Sequence, residues 1–397
     1  MKKNLSFILP ALTSVCLMLL GPGMEAKAPA VIKIATQSPL SGSMSVIGVD
    51  IKGGTQLAIE QLGGPLTSMG FKIMLAPYDD QGNPDTGVAN AKAIVSDPDV
   101  LGIIGHYNSG VQIPSSEEYH HANLANISPA NSNPKVTDRG YKEVSRVCGR
   151  DDVQGAVGAQ FAKGKGVKSV FVIHDKTAYG QGIAEYFKKT SEAEGIKVAG
   201  FAGTEEKANF DAILSPILAA KPDCIYFGGI FDQGSVLFKQ ARQKGFMGMC
   251  LSDDAFDDPE SIKIGGDALL KGAGTYYSTL CGPAAMYPNC GKFVNDFKAK
   301  FGNQPHSYAS QAYDATAMML KAIENAAKAN GGKLPDRDSV SKAVRDLKGF
   351  QGITSTLTFD WKGDPIVSRY FVVQVTAKDP NQWEGNKVIQ SLDIKAP

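Results

Sequence analysis

From residue 31 onward, short runs of Val, Ile, Leu and Phe alternate with longer stretches whose apolar positions recur at helical spacing. The runs at 31–36, 71–77, 100–105 and 124–128 predict strands, and the stretches at 53–62, 85–96 and 113–122 predict helices between them. The pattern then restarts. Strands are expected at 169–174, 197–202, 223–227 and 249–252, separated by helices at 180–194, 210–220 and 234–244. Such alternation builds a parallel sheet covered by helices. Two consecutive sets of about four units predict an α/β chain with two Rossmann-like lobes rather than one very wide sheet.

After Gly272 the order changes. A strand at 273–278 is followed by helical stretches at 291–301, 307–328 and 338–347, and strands at 355–360 and 368–375 close the pattern. Helices that arrive after both lobes are complete imply a return to the first lobe and a second crossing back. The expected N-terminal lobe is 31–150 plus about 279–362, and the C-terminal lobe 151–278 plus about 363–397. Several crossings make a multi-segment hinge. A ligand is expected in the cleft at the carboxyl ends of the parallel strands.

The start of the chain sets a compartment. Lys2 and Lys3 precede an apolar run at 5–20, followed by Gly21, Pro22, Gly23 and an Ala-rich stretch at 26–30. This order is that of an export signal, expected to be cleaved after about residue 28. The run falls short of the ~20 residues that span a bilayer, so a soluble, exported, periplasmic protein is predicted. Cys16 follows Thr13-Ser14-Val15, which lacks the Leu and small residue of a lipid attachment site, so cleavage is favoured over lipid anchoring. At 397 residues the chain has ample length for two cores, and its formal net charge of +1 excludes the strongly basic face of a nucleic-acid binder. Removing Lys2, Lys3 and Lys27 together with Glu25 leaves it just as close to neutral.

Catalytic signatures are missing: no HExxH, GxSxG, phosphate-binding GxxxxGK[ST] or calcium-loop pattern occurs. The adjacent His120 and His121 point to different sides of a helix, and Gly180-Gln181-Gly182 lacks the third glycine of a dinucleotide loop. Neither an enzyme nor a cofactor or metal is expected. Polar residues instead gather at strand ends. His106-Tyr107-Asn108-Ser109-Gly110 leads into a helix, whose N-terminus favours an anion such as a carboxylate. Ser128-Pro129-Ala130-Asn131-Ser132 ends the next strand. In the second lobe, the runs from His174 to Gly180, from Phe227 to Asp232, and Ser252-Asp253-Asp254 occupy equivalent places. Each is open to a plain capping role, but together they suggest a cleft in which an acid faces hydroxyls and a helix end.

These residues resemble the branched-chain amino acid-binding proteins of bacterial ABC importers, which have the type I periplasmic binding-protein fold. The resemblance is carried by Pro39-Leu40-Ser41-Gly42, Tyr78-Asp79-Asp80, Ile104-Gly105-His106, Ser128-Pro129-Ala130, His174-Asp175-Lys176 with Tyr179-Gly180, and Phe359-Asp360 with Lys362-Gly363-Asp364. It implies a non-catalytic receptor that captures a neutral amino acid between closing lobes and delivers it, as a monomer, to a membrane permease. The family's carboxylate-binding hydroxyl falls on Ser109. Its carbonyl and hydroxyl pair falls on Ala130 and Ser132 with Asn131 between, its closing aromatic on Tyr179, and its ammonium-binding acid on Asp254, an Asp where Glu is usual. The side-chain pocket is expected from Ile47, Tyr107, Ile230, Phe231 and Tyr308, mostly apolar, with Asp232 as the exception. Cys281 and Cys290 are expected to pair as a local disulfide, and Cys148, Cys224 and Cys250 to include buried thiols. An alternative is a sensory or regulatory protein of the same fold that takes an amide, a urea-like compound or an aromatic acid.

Overall fold

The structure is a computed structural model that describes Met1, residues 29–306 and residues 308–397. The expected export leader and Cys16 lie outside the described residues. The first lobe opens with β1 (Ala30–Ser38), α1 (Ser45–Leu62), the short α2 (Gly64–Ser68), β2 (Phe71–Asp79) and α3 (Pro84–Ser96). It continues with β3 (Val100–Gly105), α4 (Ser109–His121), β4 (Ala125–Ser128) and β5 (Val144–Arg146). All five strands are parallel, in the order β2-β1-β3-β4-β5.

The second lobe runs through α5 (Asp151–Gly164), β6 (Ser169–His174), α6 (Ala178–Ala193), β7 (Lys197–Gly203) and α7 (Asp211–Ala220). Then come β8 (Cys224–Gly228), α8 (Phe231–Gln243), β9 (Met249–Ser252), α9 (Glu260–Gly265) and β10 (Thr275–Thr279). Its parallel strands are ordered β7-β6-β8-β9-β10, which repeats the first lobe's order position for position. Both lobes therefore reverse strand order at the same point, and at that point the loops leaving the carboxyl ends splay apart and open a crevice.

The chain next supplies α10 (Gly291–Phe301), α11 (Ala309–Ala329) and α12 (Arg337–Asp346) to the first lobe. There α11 packs on α1, β3 and β4, and α10 packs on α1. Gly54 permits the α1–α11 approach: a Cβ there would lie 2.1 Å from the Ala309 carbonyl oxygen. A small hairpin of β11 (Phe350–Gln351) and β12 (Thr356–Leu357) follows. The chain then crosses back to add β13 (Val367–Gln374) and β14 (Lys387–Lys395) antiparallel to the second sheet, beside β10. A parallel first sheet and a mostly parallel second one, each flanked by helices, make up the two Rossmann-like lobes expected from the sequence.

Three departures from the sequence reading stand out. The strand expected at 355–360 contracts to Thr356–Leu357, with Phe359 bridging to Pro365 as the chain turns into the hinge. The sequence reading lacks α5, β5 and β14 altogether. The expected Cys281–Cys290 disulfide does not form, and all five described cysteines are free. The 281–290 loop folds over Tyr287, whose hydroxyl accepts the Gly282 N–H at 3.0 Å, and the two thiols turn to different partners. Cys281 Sγ lies 2.8 Å from Gln311 Oε1, whereas Cys290 Sγ faces the Ile353 carbonyl at 3.5 Å.

Candidate functional site

A cavity of about 300 Å³ lies between the lobes at the carboxyl ends of both parallel sheets. From the first lobe it is lined by Gly82 and Pro84 after β2, by Tyr107 to Val111 after β3, and by Ala130 and Ser132 after β4. From the second it is lined by Thr177, Ala178 and Tyr179 after β6, Ile230 after β8, and Asp254 and Ala255 after β9. The lining is mostly apolar; it holds one carboxylate, Asp254, and no lysine or arginine among the described residues.

The polar groups of the first lobe are set by a buried brace. Asn131 accepts the His106 N–H at 2.9 Å, donates to the Tyr107 carbonyl at 2.8 Å and accepts the Ser128 hydroxyl at 2.7 Å, locking the turns after β3 and β4 together. His106 is itself held by Asp80 at 3.1 Å through Nδ1 and by the Tyr119 hydroxyl at 3.0 Å through Nε2. This fixes the start of α4 against the cavity. Its N-cap residue Asn108 makes no side-chain cap, so the first-turn N–H groups are not taken up by a capping oxygen. Ser109 sits on that end, 2% exposed, with its hydroxyl accepting only a long 3.4 Å bond from the Asn133 N–H. Together these groups can receive an anion.

The second lobe presents the opposite polarity. Asp254 is 4% exposed and accepts the Tyr179 hydroxyl at 2.7 Å on Oδ1, and on Oδ2 the Tyr308 hydroxyl of the first lobe. Burial pushes its carboxyl above the usual range, and the two hydroxyl donors oppose that. Two further acids lie close behind. Asp253 is driven well up by burial and by Asp254, and its Oδ2 accepts the Gly229 N–H at 2.9 Å. Asp151, fully buried at the start of α5, is driven up by burial and by Asp254. Among the described residues neither Asp151 carboxylate oxygen accepts a hydrogen bond, and the Ser132 side chain nearby only partly opposes the upward shift. A cation brought to Asp254 from the cavity would offset the cost of these buried charges.

Most of the residues singled out in the sequence meet here: Tyr107, Ser109, Ala130, Ser132, Tyr179, Ile230 and Asp254 line one cavity. Tyr308 reaches the site through its hydroxyl on Asp254 and packs edge-on to Tyr107, ring centroids 5.9 Å apart. Four stand elsewhere. Asn131 is the brace behind the wall, because all its side-chain bonds point to the β3 and β4 turns. Ile47, 1% exposed, belongs to the first lobe's core with Ile51 and Met318, and Phe231, 1% exposed, is buried as the first residue of α8. Asp232 sits at the rim, bonded to Ser43 across the lobes at 3.1 Å and 3.5 Å from Lys207. Asp151, Gly82 and Pro84 escaped the sequence reading. Asp151 had a signal in the Asp151-Asp152 pair just past the first crossing, which reads equally as helix capping.

The lobes are shut on one another. Besides the Tyr308–Asp254 and Ser43–Asp232 bonds, Asn133 Nδ2 donates to the Ala178 carbonyl at 2.7 Å, tying the loop after β4 to the start of α6. Among the described residues no helix is long and apolar enough to cross a membrane, and no group of three or more His, Cys, Asp or Glu side chains is placed to hold a metal ion.

A family model described as periplasmic binding protein matches residues 31–380. A Leu/Ile/Val-binding protein homologue of Brucella abortus is 32% identical over 336 residues, covering 84% of this chain and 87% of its own. A leucine-, isoleucine-, valine-, threonine- and alanine-binding protein of Pseudomonas aeruginosa is 32% identical over 355 residues, covering 89% of this chain and 92% of its own. Among solved structures, a leucine-binding protein of Thermotoga maritima superposes with a TM-score of 0.81 at 31% identity, covering 91% of this chain and 98% of its own.

Proposed function

Since the chain belongs to the periplasmic binding-protein family, we propose that it is the substrate-binding component of an ABC importer and captures a neutral, apolar amino acid in the cavity between its lobes. It binds and releases its ligand unchanged and is not an enzyme. The observation that carries the reading is the polarity of the shut cleft. An uncapped helix end with the Ser109 and Ser132 hydroxyls lies on one wall, and a buried, cation-free Asp254 on the other. A zwitterion satisfies both walls at once, with its carboxylate on the α4 end and its ammonium at Asp254 and the Ala130 carbonyl. Tyr107, Ile230, Pro84 and Ala255 leave an apolar remainder for the side chain, where a charged one would be buried without a partner. Closure over the ligand gives a membrane permease a form to distinguish from the open receptor, after export by the leader at the chain's start.

Calorimetric titration with the twenty amino acids, a short amide and benzoate tests this. Leucine, isoleucine or valine should bind more tightly than lysine, glutamate, the amide or benzoate. Preference for the amide or the aromatic acid, with no heat from any free amino acid, would refute the zwitterion reading.

A further inference from the structure

A second groove, about 970 Å³, follows the lobe boundary, lined by Lys298, Asn303 and His306 from the first lobe and by Pro259, Asn381 and Glu384 from the second. His306 Nδ1 lies 3.0 Å from Glu384 Oε1, so an ion pair spans the lobes when the ring is protonated. Its backbone N–H donates at 2.6 Å to Asp50 of α1, itself 2% exposed. From the second lobe comes Asp258, 1% exposed, whose Oδ1 accepts the Glu260 N–H at 2.8 Å and whose Oδ2 has no partner among the described residues. Asp257, beside it, accepts Tyr277 and Trp383 at 2.8 Å each. Apart from Lys298 across the groove, the charged groups around His306 are thus acids, and Glu384 and Asp258 reach it from the second lobe. His306 also stands two residues before Tyr308, whose hydroxyl holds Asp254 in the ligand cavity.

We propose that the His306 imidazolium is a cross-lobe latch, paired with Glu384 and facing Asp258, that couples closure over the ligand to proton concentration. This rests on the reading of the cleft as a closing amino-acid site. Burial alone lowers the His306 pKa, but the bond to Glu384 and the charges of Asp50, Glu384 and Asp258 outweigh it and hold the pKa above the ordinary imidazole value. Opening removes Glu384 and Asp258, so the open form binds the proton less tightly. The latch is then fully present below the open-form pKa and lost as pH rises through the closed-form one. Burial pushes Asp50 and Asp258 up to about 6, so to the extent that closure buries them they act in the same direction. Asp254 pushes the other way, because it must be ionised to meet an ammonium, but that contribution survives when His306 is changed.

The test is leucine affinity, by calorimetry, of wild type, His306→Gln and Glu384→Gln from about pH 8.5 to about pH 6. The ratio of wild-type to variant affinity should grow as pH falls, by up to about 10-fold for a closure-linked shift of one pKa unit. A ratio that stays constant in both variants overturns the latch. If leucine, isoleucine and valine fail to bind wild type at every pH, the functional reading fails instead. The latch is then judged by the imidazole proton resonances of the protein held shut by a disulfide across the rim, Ser43→Cys with Asp232→Cys: a His306 titration lowered by adding Glu384→Gln supports it, and an unmoved one overturns it.

Discussion

Asp254 carries more of the site's chemistry than any other side chain. It is a buried carboxylate held by two tyrosine hydroxyls, with two more acids nearby and no cation beside it among the described residues, so burial disfavours its ionised form. An amide in its place keeps the size and some of the hydrogen bonding but cannot offset an ammonium. Hydrogen bonds to charged groups are worth roughly 1.5–3 kcal/mol, so Asp254→Asn should weaken amino-acid binding about 10- to 150-fold by calorimetry. Its folded pKa is raised, so ionising it costs stability above the unfolded pKa, and the substitution removes that cost. The ligand-free variant should therefore melt no lower than wild type near neutral pH. A variant with wild-type affinity would remove Asp254 from the site. Ser109→Ala should weaken binding without that compensation in melting temperature. Among residues, those whose chemistry is visible at a strand end, such as Ser109, Ser132, Tyr179 and Asp254, are the ones the fold brings to one cavity. The sequence reading misplaced Ile47 and Phe231, because an apolar residue one position inside a helix looks the same whether it faces a cavity or a core.

At the scale of elements, the crossings between the lobes are held by ions. Asp364, 1% exposed, accepts Arg146 Nε at 2.6 Å, Arg150 Nη1 at 2.7 Å and the Thr137 hydroxyl at 2.8 Å. This joins the end of β5, the start of α5 and the approach to β13, two of the segments that cross between the lobes. Burial alone would raise the Asp364 pKa, yet the two guanidiniums hold it below the ordinary carboxylate value. The stability it confers is present above the unfolded pKa and lost as pH falls through the folded one. Asp364→Ala would leave two buried guanidiniums without their shared acid. It should cost about 3–5 kcal/mol in denaturant unfolding, a cost that shrinks on acidification; a loss under ~1 kcal/mol would show the cluster to be dispensable. The same region explains what the hydrophobic pattern hid. The helix α5 carries Gly155 and Gly158, poor helix formers in isolation, because it packs against α6: a Cβ on Gly155 would come within 2.8 Å of the Phe187 nitrogen. The edge strand β14 is largely exposed, so its residues never needed to alternate. Where strands are buried on both faces, as in β3, β6 and β9, the apolar run alone marks their bounds.

On the proposed reading of a receptor that closes over its ligand, the whole molecule has two states, and the closed one adds contacts that the open one lacks. Across the cavity's mouth these are the Asn133 amide on the Ala178 carbonyl, Ser43 on Asp232 and Tyr308 on Asp254. Asp232, the acid out of keeping with an apolar pocket, is thereby explained as part of the rim rather than of the ligand's surroundings. Contacts made after the ligand has docked on one wall do not change how often it arrives; they change how long it stays. Asn133→Ala removes a donor that lines neither the ligand's carboxylate nor its ammonium site and leaves the Ala178 carbonyl at a rim that water reaches on opening. It should raise the dissociation rate about 2- to 10-fold, for a net bond of roughly 0.5–1.5 kcal/mol, and leave the association rate within a factor of about two. Stopped-flow fluorescence can separate the two, since Trp383 is buried beside Glu384 at the lobe boundary and Trp361 is exposed near the hinge. A fall in association rate with no change in dissociation would mean that the lobes shut before the ligand docks, so that the rim sets the population able to bind instead of retaining the amino acid.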